Sequence, residues 1–125
     1  MRRTLLLLIV LLLAATGPFT AQGKVKKAKE VRLKGEVVDV SCYLHMGVKG
    51  GGHKDCAVEC AKNGAPLGIL TKKGKVYVSM VADEHKNNPN TMLMDHIADK
   101  VEVKGYTHSK GGVNGIRITS VKMAK

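Results

Sequence analysis

The sequence predicts a mainly β protein: a five-stranded, OB-type Greek-key barrel with two short helices, preceded by an N-terminal signal peptide. Three observations support this prediction. Five short segments alternate apolar and polar residues, which is typical of half-buried strands. A short helical pattern falls between the third and fourth of these segments, and the longest insertion falls between the first and second. This order of elements is that of an OB-type barrel.

Residues 1–23 have the pattern of a secretory signal peptide. Arg2 and Arg3 supply a positive start, Leu5 to Ala15 an apolar core, and Ala21 to Gly23 a cleavage site with small residues. The apolar run is shorter than the roughly 20 residues that a membrane span needs. We therefore expect export to a bacterial periplasm or the medium, with no stable membrane span after cleavage.

Beyond the signal, residues 24–29 predict a basic, flexible lead-in and residues 30–125 a single barrel domain. The chain has 21 basic and 10 acidic residues. Cleavage would remove only two of the 21 basic residues, Arg2 and Arg3, so the exported protein keeps a large positive charge. It should therefore be attracted to anionic surfaces of the envelope. Nucleic-acid binding is not favoured, because only Tyr77 and Tyr106 offer stacking platforms on predicted strands.

The strand predictions follow alternation and turn residues. The first strand changes phase at Gly35, which indicates a bulge or bend, and the last strand slips phase before Val121. A helix is predicted where Leu93 and Ile97 are spaced to face the core. The predicted strands are Glu30–Val40, Leu67–Thr71, Val76–Met80, Lys100–Thr107 and Gly115–Met123, and the predicted helix is Met92–Asp99.

The insertion at residues 41–63 carries every cysteine of the chain, in the spacing Cys-x2-His-x7-His-x2-Cys-x3-Cys. Its second half, Lys54 to Lys62, reads as a short helix that ends before Asn63 and Gly64. On that helix the second histidine and the last two cysteines share one face. The first cysteine and histidine would approach from a loop. The five residues are Cys42, His45, His53, Cys56 and Cys60.

These five side chains predict a site for a soft metal ion. Three thiolates and one histidine complete a tetrahedral set, with His45 or His53 as the fourth ligand. Sulfur and imidazole ligands favour zinc, copper or iron, as an ion or within a metal cofactor. An odd number of cysteines in an exported protein also points to a metal or a reactive thiol rather than to disulfides alone.

The main alternative is a structural disulfide from Cys42 to Cys56 or Cys60, which would close a loop of about 15 residues and stabilise by roughly 3 kcal/mol. The protein would then be a stapled interaction module for another envelope protein, with no metal. Thiol redox chemistry at Cys56 is a weaker alternative, since the chain has no Cys-x-x-Cys motif. No catalytic triad, carboxylate pair or phosphate-binding loop is present, so the sequence does not predict an enzyme.

Four segments together resemble a group of small exported bacterial proteins of OB-like build that carry a Cys/His-containing insertion. They are GEVVDVSCYLHMG, GGHKDCAVECAKNGAPLGILT, KVYVS and VEVKGYTHSKGGVNGIRITSVK, and they cover nearly all of residues 30–123. The resemblance implies export and a barrel fold. It supplies no catalytic residue and no named ligand.

Overall fold

The computed structural model describes residues 28–82 and 87–125. The predicted signal peptide, most of the predicted lead-in and His85 of the polar loop lie outside the described residues. The described chain is mainly β, with five strands in a closed ring and two α-helices, which confirms the predicted class. None of the helices in the two described ranges is long and apolar enough to cross a membrane.

Two strands have the predicted bounds, and the others differ at their ends. The second helix lies where it was predicted, whereas the first was not foreseen. The elements in chain order are β1 (Glu30–Asp39), α1 (Val40–Met46), a 3-10 turn (Gly51–His53), α2 (Lys54–Lys62), β2 (Leu67–Thr71), β3 (Val76–Met80), a 3-10 turn (Met94–His96), β4 (Lys100–Lys110) and β5 (Val113–Met123).

The ring runs in the order β1, β2, β3, β5, β4 and closes from β4 back to β1. Strands β3 and β5 pair in parallel, and all the other neighbouring strands pair antiparallel. Strand β1 belongs to two ladders, because its first part pairs with β4 and its last part with β2. The Cys/His insertion leaves the ring between β1 and β2, at the end where β1 pairs with β2.

The predicted phase change at Gly35 is wrong. Leu33 and Val37 both pack into the same core, and neither ladder of β1 shows a register shift. Gly35 is instead the point at which β1 passes from one partner to the other, pairing with both Thr71 and Val101. A Cβ atom at Gly35 would collide with the backbone carbonyl of Leu70, so the close approach of the two strands requires glycine.

The second predicted slip is confirmed. In the β4–β5 ladder Lys104 pairs with Ser120 but Gly105 pairs with Ile118, so Thr119 is one extra residue in β5. Such a bulge shifts the alternation by one position, which is why Ile116 and Ile118 are buried and the pattern restarts at Val121. The bulge lets the strand bend around the small ring.

The predicted helix over 92–99 is wrong, although its two inward residues are correct. Leu93 and Ile97 are fully buried, but only a 3-10 turn forms between them. The helix cannot continue, because the N–H of Ala98 donates to the carbonyl of Val37 and the carbonyl of Asp99 accepts from the N–H of Val37. The backbone of Ala98 and Asp99 is thus hydrogen-bonded to β1 instead of continuing a helix.

The core fills the ring and is closed at one end by α2. Ala57 and Ala61, one turn apart on α2, are buried against the barrel side chains. Because alanine side chains are small, the helix axis can lie close to the barrel. The adjacent face of α2, which carries Cys56 and Cys60, then faces α1. The buried barrel and loop residues of the cluster are Val37, Leu67, Ile69, Leu93, Ile97, Val101, Val103, Ile116 and Ile118.

Candidate metal centre

Helix α1 positions Cys42 in its first turn. The predicted first strand ends one residue early, because Asp39 caps the helix: its Oδ1 accepts hydrogen bonds from the N–H groups of Ser41 (2.8 Å) and Cys42 (3.2 Å). The helix ends at Gly47, whose φ of 70° is left-handed. Cys42 is therefore held by a short capped helix rather than by the loop that the sequence predicted.

The glycine turn and α2 position three more of the five predicted donors, His53, Cys56 and Cys60. Gly50 has a φ of 77°, its N–H donates to Glu36 Oε1 on β1, and its carbonyl accepts from the N–H of His53. His53 directly precedes α2, and Cys56 and Cys60 lie one turn apart on that helix. As predicted, the histidine and the two cysteines follow one face.

The donor atoms form two groups that share Cys42. In the first group, donors of Cys42, His53 and Cys56 all lie within 4.8 Å of one another. In the second, donors of Asp39, Cys42 and Cys60 satisfy the same limit. The Cys42 sulfur thus lies between the two ends of the donor face of α2. We call the five residues Asp39, Cys42, His53, Cys56 and Cys60 the cysteine cluster.

Burial within the cysteine cluster is graded from Asp39 outward. Asp39 is only 2% exposed, Cys42, His53 and Cys60 are half-buried, and Cys56 is exposed. Two of its polar atoms, Asp39 Oδ2 and His53 Nε2, are buried without a hydrogen-bond partner among the described residues. The thiols of Cys42 and Cys60 lie next to the Asp39 carboxylate. His53 Nε2 has no such neighbouring hydrogen-bond partner among the described residues, and a buried polar atom without a partner costs about 1–3 kcal/mol, which a ligand at this atom would remove.

The carboxylate and the thiols shift one another's protonation. The interaction with the Asp39 carboxylate, together with burial, raises the pKa of Cys42 to about 12. Burial, followed by the same carboxylate, raises the pKa of Cys60. Burial alone would raise the pKa of Asp39, but the Cys42 thiol and the N–H groups of Cys42 and Ser41 lower it overall. Without an ion, Cys42 is a protonated thiol at neutral pH.

The structure brings together four of the five predicted ligands. His45 is exposed on α1 and belongs to neither donor group. Asp39 was missed, since the alternation of β1 continued through it to Val40. Its signal was available in the sequence: an aspartate two residues before Ser41 is a common helix N-cap.

All three cysteines are free thiols. Comparison of the chain with protein-family models, with curated proteins and with solved structures finds no match. The chemistry of the cysteine cluster therefore has to be argued from its own geometry.

Proposed function

We propose that this protein binds one soft transition-metal ion through Cys42, Cys56, Cys60 and His53. The observation that carries the proposal is the position of the Cys42 sulfur, which lies within 4.8 Å of donor atoms at both ends of the donor face of α2. Zinc–sulfur bonds of about 2.3 Å put tetrahedral ligands roughly 3.8 Å apart. Donors of Cys42, His53 and Cys56 already lie within 4.8 Å of one another. Cys60, which meets this limit with Cys42 and Asp39, would have to turn toward them to share the same ion.

The buried histidine nitrogen and the Asp39 carboxylate support an ion over an empty cluster. His53 Nε2 would gain a partner as the fourth ligand, next to Cys42 and Cys56. The Asp39 carboxylate, which lies within 4.8 Å of the Cys42 and Cys60 donors, would stabilise the positive charge of an ion. Three thiolates with one imidazole favour zinc, copper(I) or iron, and they complete a structural zinc set.

The surrounding architecture supports a binding role rather than catalysis. We infer that the ring is an OB-type barrel, since its strand order is closed as 1-2-3-5-4 with β3 and β5 parallel. The insertion between β1 and β2 is a usual place for the binding surface of this architecture. We further propose that the protein works after export, on the basis of residues 1–23.

A disulfide-stapled interaction module is the second candidate, and the same geometry favours it. Cys42 Sγ lies within 4.8 Å of the sulfur atoms of both Cys56 and Cys60, so oxidation could join it to either. The remaining thiol would then be unpaired. This candidate gives His53 Nε2 no ligand, which is why we rank it below the metal site.

Elemental analysis with a thiol count separates the two candidates. Protein purified from the periplasm without chelator should contain about one zinc, copper or iron ion per chain, and should show three free thiols after denaturation in chelator. No metal together with one free thiol would overturn the metal proposal and favour the disulfide.

Matched histidine variants then test the ligand set. His53→Gln should weaken metal binding roughly 100-fold or more, because losing even an outer-shell partner costs about 10–100-fold. His45→Gln, on the same insertion but outside the cysteine cluster, should leave affinity unchanged. Chelator competition measures both, and cobalt substitution reports thiolate ligands by its charge-transfer absorption. Equal losses in the two variants would contradict the assignment.

A further inference from the structure

A cavity separate from the cysteine cluster lies beside the insertion, on the side of β1 and β2. It is a half-open cavity with a volume of about 480 Å³, lined by β1, Tyr43 of α1, Lys49, the end of β2, the β2–β3 turn, the start of β4 and the two residues after β5. None of the donor residues of the cysteine cluster lines it. The charged and aromatic residues of its lining are Lys34, Glu36, Tyr43, Lys49, Lys72, Lys100 and Lys125.

The lining is strongly basic. Lys34 pairs with Glu102 on β4 at 3.5 Å, but Lys49, Lys72 and Lys100 have no carboxylate within ion-pair distance among the described residues. The acidic side chain in the lining, Glu36, is engaged by the N–H of Gly50. These ammonium groups come from separate segments of the chain, so the fold rather than a local run of lysines gathers them.

Part of the wall is apolar. Leu70 is buried and Tyr43 half-buried, and both contribute to the lining next to the lysines. Cavities of about 300–1,000 Å³ with an apolar wall and a few charged groups are typical small-molecule sites. A bare inorganic ion would fill little of this volume.

We propose that this cavity binds a small organic anion with two or more negative charges, carried by phosphate or carboxylate groups. The lysines neutralise the charged groups, and Tyr43 with Leu70 contacts the apolar part of the molecule. The lysines of the lining are exposed, but they surround a concave site, where several charge-assisted contacts can reach one ligand at the same time. The proposal does not depend on metal binding by the cysteine cluster.

Amide NMR titrations of the full exported protein test the proposal. The probes are pyrophosphate, citrate and adenosine 5′-diphosphate, each added at constant ionic strength. At least one should give saturable shifts, concentrated on the amides of Gly35, Leu70, Thr71 and Gly74, which line the cavity. Pyrophosphate against citrate distinguishes phosphate from carboxylate recognition. Adenosine 5′-diphosphate carries an aromatic ring system that pyrophosphate lacks. Tighter binding of adenosine 5′-diphosphate than of pyrophosphate would therefore indicate contact with the apolar wall.

Two double variants of equal charge decide whether the cavity is responsible. Replacing Lys49 and Lys72 by Gln should weaken binding about tenfold, the loss of two partly solvated charged contacts. Replacing Lys73 and Lys110, which are exposed but do not line the cavity, should change it less than about twofold. The spectra themselves report whether each variant is folded. Equal weakening in both, or shifts that never saturate, would overturn the proposal.

Discussion

The barrel and the insertion differ in how completely they bury their side chains. The barrel closes its ladders into a ring and buries large side chains completely, among them Leu67, Ile69 and Ile116. The insertion buries little more than Ala57 and Ala61, and its buried His53 Nε2 has no hydrogen-bond partner among the described residues. The barrel therefore supplies most of the hydrophobic burial, whereas the insertion brings polar and sulfur side chains close together near the surface.

Besides the helix cap of α1 and the hydrogen bond from the glycine turn to β1, two polar side-chain contacts in the described part of the chain join the insertion to the barrel side. Asn90 is buried, and its side chain accepts from the N–H of Leu67 (2.9 Å) and donates to the carbonyl of Ala65 (2.8 Å), which fixes the return from the insertion into β2. Lys54 at the start of α2 pairs with Asp99 at 3.8 Å. Substitutions in the barrel, at these joints and in the insertion should therefore behave differently.

The largest effect is expected in the barrel. Ile69→Ala should lower the free energy of unfolding by about 2–5 kcal/mol, because it leaves a cavity among fully buried side chains. The loss should be the same in metal-loaded and chelator-treated protein, as measured by urea unfolding. Val113→Ala, at a 62% exposed position, is the control and should change stability by less than about 0.5 kcal/mol. A loss that depends on metal would contradict the division between the regions.

The joint at Asn90 should come next. Asn90→Ala removes two hydrogen bonds and leaves the buried N–H of Leu67 without its partner, which should cost about 2 kcal/mol. Asn63→Ala provides a matched comparison, since that exposed amide bonds only the carbonyl of Glu59 at the end of α2. Urea unfolding of both variants measures the difference. Equal losses in the free energy of unfolding would show that Asn90 does not hold the insertion to the barrel.

At Asp39, the last residue of β1 before the insertion, two substitutions separate the role of the side chain as helix cap from the role of its charge. Asp39→Ala should destabilise chelator-treated protein by about 1 kcal/mol through loss of the helix cap, whereas Asp39→Asn keeps a capping oxygen and should lose only a few tenths. Asp39→Asn should also bind metal more tightly than His53→Gln does. The reverse ranking would make the carboxylate, rather than His53, the fourth ligand.

The same carboxylate predicts an acid-sensitive step. Because the pKa of Asp39 in the folded protein is lowered from its ordinary value of 3.8, its ionised form stabilises the fold above that pH. This stabilisation is lost as the pH falls below 3.8 and through the lowered value. Unfolding of chelator-treated protein between pH 7 and 2.5 should therefore depend less on pH in Asp39→Asn than in the unmodified chain. Parallel curves would contradict the shift.

The smallest effect is expected at the surface joint. Lys54→Gln removes an ion pair whose side chains are 45% and 32% exposed, so the loss should stay below about 1 kcal/mol and shrink in high salt. Lys62→Gln, which breaks the exposed pair with Glu59 within α2, is the comparison. A larger, salt-independent loss at Lys54 would mean that α2 depends on this contact for its position.

Local sequence was sufficient for the parts of the molecule whose causes are local. Alternation and turn residues gave the bounds of β2 and β3, the helix over Lys54–Lys62, the bulge before Val121 and the burial of Leu93 and Ile97. The cysteine spacing likewise indicated that His53, Cys56 and Cys60 share a face. These features depend on periodicity and on residues a few positions apart.

The tertiary structure decided what depends on distant partners. The backbone of Ala98 and Asp99 joins β1 at Val37, and this ended the predicted helix. The change of ladder partner, not a bulge, explains Gly35. Asp39 became a helix cap facing the thiols, and His45 was left outside the cluster, because the position of α1 against α2 is set by packing on the barrel. Local periodicity carries no information on which faces of separate elements will meet, and both candidate sites lie where such faces meet.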